Sequence, residues 1–319
     1  MELFLVRSPT EMIQIPTESV TWSGSRNQPA RKIIADILYT DTSGLNFTEI
    51  SEGDTVLFKW EKRELFRGVV FNRLKTQQGT LKLTAYDTAQ YLLLNQDVYT
   101  FDNQRADQIL TRICRDFEIS TGSIVNTGAT LTETHLTPST LYDIILQALT
   151  NTEKTNGRRF QLRSVRGKIT LSEWGHINDQ WFLATGSNIK TYNSMTSIEN
   201  TATRVKLTNT DDENTITATA NDNAGRQRYG VIQHFERVAE DLNQGQLNER
   251  ARTTLNDKKG IERILDITAL GIADCISGVP IQIRIPDISA RGTRFIDSDT
   301  HHFKGESHEM DLSLVEREE

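Results

Sequence analysis

The sequence predicts a mainly β protein with an α+β insert, in which two related small β-barrel domains flank a helix-containing α+β domain. Three observations carry this. Apolar and polar residues alternate with a period of two through the N-terminal part, helical spacing takes over in the middle, and the alternation then resumes with similar glycine punctuation. A chain of 319 residues exceeds what one core usually organises. The changes of pattern divide it into a first barrel (residues 1–98), an α+β domain (99–187) and a second barrel with one packed helix (188–319).

In the first part the strands are MELFLVR, SVTWSG, RKIIADILYT, DTVLFKWE, ELFRGVVFNRL and TLKLTAYD, with Gly24, Gly53, Gly68 and Gly79 read as lying in the polar links between them. Residues 89–94 form a short helical or extended cap, and Asp87 is placed to cap the turn before it. From Arg105 to Glu118, Ile109, Leu110, Ile113 and Phe117 stand at helical spacing with Gly122 beyond. A second helix runs from Leu141 to about Thr152 behind the start signal Pro138-Ser139, its apolar face being Ile144, Ile145, Ala148 and Leu149. RFQLRSV, the turn Arg166-Gly167 and KITLSEW make a hairpin.

Beyond Asn188 the strands are NSMTSIEN, TRVKLTNT, NTITATAND and RYGVIQHFERV. A polar helix at about 241–256 follows, with apolar residues only at Leu242, Leu247, Ala251 and Leu255, a narrow stripe suited to covering one side of a barrel. ERILDITALGI, GVPIQIRIPD, GTRFIDSDTHHF and HEMDLSLVE close the chain as strands. The two β parts echo each other: 15 residues separate Gly53 from Gly68 and 14 separate Gly278 from Gly292, each set ending in a strand with an acidic terminus. Duplication of one barrel explains this, and so does the default use of glycine in meander turns.

Composition excludes several classes of function. A formal charge of −7, with basic residues spread along the chain, gives no footprint for stable nucleic-acid binding. The N-terminal MELFLVRSPTEMIQIP is too short for a signal h-region, and no stretch is apolar for long enough to span a membrane as a helix. The two cysteines, Cys114 and Cys275, read as buried thiols of a protein folded in a reducing cytosol. There is neither a GxxxxGK[ST] loop nor a GxGxxG fingerprint.

The segments SVTWSGSRNQPARKIIADIL, SEGDTVLFKW, LFRGVVFNR, TAYDTAQYLLLNQDVYTFDNQRADQILTRICRDFEISTGSI and LTPSTLYDIILQAL resemble the baseplate hub proteins of contractile-tailed phages, in particular the hub-like tail proteins of Bacillus and clostridial prophages and of phage-tail-like bacteriocins. The resemblance covers essentially the whole chain and is most specific over residues 20–175. It implies a non-enzymatic structural subunit that forms a trimeric ring of pseudo-sixfold symmetry and adapts a hexameric tail tube to a trimeric spike. Its implied partners are further copies of itself, the spike and tube proteins, and other baseplate and tape-measure proteins. Its implied place is the tail baseplate of a virion or tail-like particle assembled in the bacterial cytoplasm. No cofactor follows from it.

Each candidate chemical site has an ordinary reading beside it. His301, His302 and His308 with Asp297, Asp299 and Glu306 offer metal-ligand types, but their spacing matches no zinc pattern and the stretch reads as a solvated hairpin tip. The pairs Glu52/Asp54 and Asp211/Asp212/Glu213 offer carboxylates for a tail-associated peptidoglycan hydrolase, without a cleft to set their separation. Trp22, Trp60, Phe71 and Tyr86, with Lys59, Lys62 and Arg67, offer a base-stacking platform for a single-strand-binding barrel, but barrel packing explains these aromatics as well. The expectation is therefore no catalytic, cofactor or metal residue, with function carried by interfaces.

Overall fold

The computed structural model describes residues 1–8, 10–38, 49–77, 80–174, 181–210, 215–238 and 242–318. They form two compact units, one made of residues 1–191 with 267–313 and the other of residues 192–266 with 314–319. The strands and helices come in the order β1 (Glu2–Ser8), β2 (Glu11–Ile15), β3 (Thr17–Ser25), β4 (Gln28–Leu38), β5 (Thr55–Trp60), β6 (Arg63–Lys75), β7 (Thr80–Asp87), α1 (Gln90–Leu94), β8 (Gln96–Arg105), α2 (Ala106–Asp116), β9 (Thr121–Ile124), β10 (Thr130–Thr140), α3 (Leu141–Asn156), β11 (Phe160–Val165), β12 (Lys168–Glu173), β13 (Phe182–Ala184), β14 (Ile189–Ser197), β15 (Arg204–Thr210), β16 (Thr215–Asn221), α4 (Asn223–Tyr229), β17 (Gln233–Val238), α5 (Gln244–Lys258), β18 (Ile261–Leu270), β19 (Pro280–Ile285), β20 (Ala290–Lys304) and β21 (Ser307–Glu318). The chain is mainly β, as its alternation predicts. Among the described residues no helix is long and apolar enough to cross a membrane.

The strands of the N-terminal part lie in the order β3-β4-β7-β6-β5-β1-β2, all antiparallel. Leu3 and Leu5 of β1 share one core with Val20 and Trp22 of β3, although these strands stand far apart along the sheet. A sheet whose distant strands bury the same core is rolled on itself, as a small barrel is. Two of the glycines read as links are strand residues instead. Gly68 lies inside β6, where an added Cβ would stand 2.2 Å from the Tyr86 carbonyl oxygen, and Gly24 lies inside β3 against the Arg31 side chain. Gly53 does occupy a turn, with φ of 90°, and Gly79 lies outside the described residues.

The middle of the chain has a core of its own, built from α1, α2, α3 and the facing strands. Ile109, Leu110 and Ile113 of α2 are fully buried there, as their spacing requires. Helix α3 is a turn longer than its periodicity suggests, ending at Asn156 with Gly157 left-handed at φ 73°, and its N-cap is Thr140 rather than Pro138-Ser139. The β11–β12 hairpin turns on Arg166 (φ 51°) and Gly167 (φ 74°), both central residues left-handed as a two-residue primed turn demands. The paired strands β8 and β10 and the short β9, parallel to β12, carry too little alternation to stand out in the sequence.

The C-terminal strands repeat the N-terminal arrangement. In chain order β3, β4, β5, β6 and β7 lie side by side as β3-β4-β7-β6-β5, and β14, β18, β19, β20 and β21 lie as β14-β18-β21-β20-β19. The glycines of the echo hold corresponding places. Gly53 and Gly278 are both left-handed just before the third strand of their set, while Gly68 and Gly292 both lie within the fourth, opposite Val56 and Ile283. Strand β20 of the second set joins it to the first, pairing with its own neighbour β19 through residues 290–295 and with β3 through residues 298–304. Residues 267–313 therefore join residues 1–191 in one unit, whereas the division at 98 and 187 follows changes of sequence pattern.

In the second unit β16-β15-β17 forms a small sheet of its own. Helix α5 covers it, Leu247, Ala251 and Leu255 burying against Val205, Leu207 and Ala218. The narrow stripe of this helix thus serves a three-stranded sheet and not the side of a barrel. The stretch read as the strand RYGVIQHFERV is divided: Arg228 and Tyr229 end α4, whose N-cap Asp222 accepts a hydrogen bond from Gly225 N, and only Gln233–Val238 is strand.

Candidate functional site

The densest polar chemistry of the first unit sits where three strands present a polar residue on their inward rows. On β4 the row is Arg31, Ile33, Ala35, Ile37; on β7 it is Leu81, Leu83, Ala85, Asp87; on β20 it is Asp299, His301, Phe303. Alternation carries these polar side chains inward with their apolar neighbours. The Arg31 guanidinium donates to both oxygens of Asp299, Nη1 to Oδ1 at 2.9 Å and Nη2 to Oδ2, and lies 4.0 Å over the Trp22 ring. Ser277 N donates to Asp299 Oδ1 at 2.6 Å. Burial pushes the Asp299 carboxyl up, but the Arg31 charge and its two hydrogen bonds outweigh this and hold it well below the usual carboxylate range. Asp87, also buried, accepts from Arg31 N and Ala89 N, capping the turn into α1; burial dominates there and lifts its pKa to about 7.

Next to this pair His301, fully buried, bonds to His308 across the β20–β21 hairpin, Nδ1 to Nε2 at 2.9 Å, while its own Nε2 faces the Cys275 carbonyl at 3.1 Å. A carbonyl only accepts, so His301 Nε2 carries a proton, and the same nitrogen stands 3.4 Å from Asp299 Oδ2. His308 stacks on Phe303 at 4.1 Å, and Gly271 leaves room for its ring, since a Cβ there would fall 2.1 Å away. Burial, with His301 and His302 nearby, lowers the His308 pKa to about 4. The expectation of a solvated turn between the FIDS and EMDLSL strands, residues 299–308, is thus corrected. Only Gly305 and Glu306 form the tip, and the inward parity of β20 buries Asp299 and His301. His302 points outward and bonds to Asp311. Among the described residues no three His, Cys, Asp or Glu side chains are grouped to hold a metal ion.

Beside the Arg31–Asp299 pair opens a cleft of about 190 Å³, walled by Tyr142 and Leu146 of α3, Phe160 and Arg163 of β11, and Trp174. Gln161 and Arg163 donate to the Ser277 carbonyl and Trp174 Nε1 to that of Gly278, which fixes β11 and Trp174 against the loop before β19. Burial, then the nearby Arg31 charge, lowers the Arg163 pKa to about 10.

The other sequence candidates are dispersed. Glu52 pairs with Arg73 at 3.0 Å and Asp54 with Arg7 at 2.8 Å, so each carboxylate is committed to its own arginine. Asp211, Asp212 and Glu213 lie outside the described residues. Trp22 is buried in the core, Phe71 packs edge-on against Tyr86, and Trp60 packs on Phe303. Lys59 covers Phe4, Arg67 is paired with Glu64, and Lys62 sits in the β5–β6 turn with φ of 66°. Burial raises the thiols of Cys114 and Cys275 to about 12. Sequence reasoning passed over Arg31 and Arg163. The signal for Arg31 was available, as a charged residue on the apolar parity of a strand; Arg163 stands on no such row.

Residues 20–315 match the model of a family described as YQBQ-like. Two proteins of Bacillus subtilis (strain 168), the uncharacterized protein YqbQ and the phage-like element PBSX protein XkdQ, are each 46% identical over 99% of this chain and 97% of their own length. Among solved structures, the 43 kDa tail protein of prophage MuSo2 from Shewanella oneidensis superposes with a TM-score of 0.76 at 13% identity, covering 99% of this chain and 98% of its own. The E. coli c3393 protein, described as a component of the type VI secretion system with structural similarity to the T4 bacteriophage tail proteins gp27 and gp5, gives 0.56 at 11% identity over 100% of this chain and 78% of its own. The fold is that of phage tail proteins, and by its sequence the chain belongs to the YQBQ-like family.

Proposed function

We propose that this chain is a baseplate hub subunit of a contractile phage-type tail, non-enzymatic, whose homotrimer forms a pseudo-sixfold ring that adapts the hexameric tail tube to the trimeric spike. The observation that carries this reading is the repeated strand order, β3-β4-β7-β6-β5 and again β14-β18-β21-β20-β19 within one chain. A subunit holding the same arrangement twice presents six near-equivalent units when three copies close a ring, which is what a sixfold partner on one side and a threefold partner on the other require. The printed likeness of the E. coli secretion component to gp27 and gp5 supports the same reading. So does the commitment of Glu52 and Asp54 to separate arginines, which leaves neither poised as the acid or base of a wall-cutting enzyme. In this reading residues 1–98 and 188–319 are the two barrel domains and residues 99–187 face other baseplate proteins. The subunit assembles in the bacterial cytoplasm and resides in the tail baseplate.

The test is the mass in solution, measured by light scattering on a sizing column, alone and mixed with the tube and spike proteins of the same particle. A homotrimer of three times the 36.2 kDa chain, or a 3:3 complex with the spike, is expected. A chain that stays monomeric, ignores both partners, and instead degrades cell wall or binds single strands is not a hub.

A further inference from the structure

The cleft beside the Arg31–Asp299 pair is unusual in its charge. Among the described residues three arginines line it, Arg26, Arg31 and Arg163, and no acidic residue does. Arg26 is paired with Asp297 and Arg31 with Asp299, so both of those charges are met. Arg163 is different. Its side chain makes one hydrogen bond, to the Ser277 carbonyl, and no carboxylate pairs with it among the described residues. A guanidinium carries five N–H donors, and the Arg163 side chain that bears them on the cleft wall is largely buried. Its pKa is lowered first by burial and then by the Arg31 charge, which the Asp299 charge offsets only in part.

The remaining walls define what else a ligand must have. Tyr142, Phe160 and Trp174 are aromatic, and Leu146, exposed at 44%, stands at the rim. The volume of about 190 Å³ lies below the range of about 300–1,000 Å³ usual for small-molecule and cofactor sites, and suits one inserted side chain. A charged anchor pocket flanked by aromatics is the form taken by the centre of a protein interface.

We infer that this cleft is a docking pocket for an acidic side chain of a partner tail protein, its carboxylate seated on Arg163 and the apolar residue beside it lying against Phe160 and Trp174. The inference rests on the assembly reading only for the source of the partner, because binding at the pocket is measurable on the isolated chain whatever its mass. The experiment follows the indole N–H signals of the ¹⁵N-labelled protein, with Trp174 assigned through Trp174→Phe, while N-acetyl-Phe-Glu-methylamide, its Gln counterpart or inorganic phosphate is added. The Glu peptide is expected to move the Trp174 signal saturably. The Gln peptide, and the Glu peptide on Arg163→Met, are expected to bind at least tenfold more weakly, with Arg163→Lys recovering part of the loss. Four results would each overturn the inference: no response at Trp174, equal response to both peptides, phosphate acting as strongly as the Glu peptide, or a Trp174 signal that changes with protein concentration alone, which would place a second copy in the cleft.

Discussion

Asp299 is the residue on which most local order depends, because it neutralises Arg31 and holds the Ser277 amide at once. Asp299→Asn leaves the buried Arg31 uncompensated and should destabilise the first unit by about 3–5 kcal/mol, read as a lowered urea midpoint; a change within error would mean that water replaces the carboxylate. Asp87 and His308 set opposing pH trends. The folded pKa of Asp87 is raised from 3.8 to about 7, so its favourable share is complete below pH 3.8 and is lost as pH rises to 7, on the order of 4 kcal/mol at about 1.4 per unit. The folded pKa of His308 is depressed from 6.5 to about 4, so its share is present above pH 6.5 and lost as pH falls through 4. Between pH 4.5 and 7.5, Asp87→Asn should therefore make the urea midpoint rise more steeply with pH than in the parent protein, and His308→Gln should make it rise less steeply or fall. Parallel pH profiles for all three proteins would refute both assignments. At this scale the sequence is informative where parity is strict. Arg31, Asp87 and Asp299 all stand in apolar rows, and a count along each strand finds them. The His301–His308 bond spans a single hairpin and depends on which face each strand turns inward, whereas the cleft gathers residues distant in sequence that no local pattern brings together.

Among the elements, those with a local signature are readable and those fixed by long-range pairing are not. Helix α2 and the β11–β12 hairpin follow from spacing and a two-residue turn, whereas α4 is hidden because its polar sequence NAGRQRY has no apolar stripe and depends on the Asp222 cap. Gly68 looks like turn punctuation until its surroundings are known. Its real reason is the 2.2 Å that would separate a Cβ from the Tyr86 carbonyl oxygen in the neighbouring strand. Gly68→Ala should force β6 and β7 apart and cost more than the usual strand substitution, about 1–3 kcal/mol, with faster hydrogen exchange along β6 as the local readout; unchanged exchange would show that the ladder yields freely. For α3, Thr140→Ala removes the acceptor that satisfies Asp143 N and should cost about 1 kcal/mol, while Thr140→Ser should cost little.

For the whole molecule, the net charge of −7 opposes bringing copies together, and a closed ring multiplies that repulsion. If the contacts between copies are mainly apolar, self-association should strengthen as ionic strength rises from about 0.01 to 0.15 M, where the screening length shortens from about 30 to 8 Å. Dissociation by added salt, seen in light scattering, would point instead to a ring held by ion pairs. The fold class was legible because alternation survives along nearly every strand, and the repeat because glycine spacing survives with it. What the sequence hides is that β20 joins the two repeats, paired with β19 at one end and with β3 at the other. A strand paired in this way is a mechanical coupling. Tension drawn along β20 would load its seven pairings with β3, from Ser298 to Lys304, in shear, so that they resist together instead of opening one at a time. A subunit built this way passes a pull on one repeat to the other through the β20–β3 ladder.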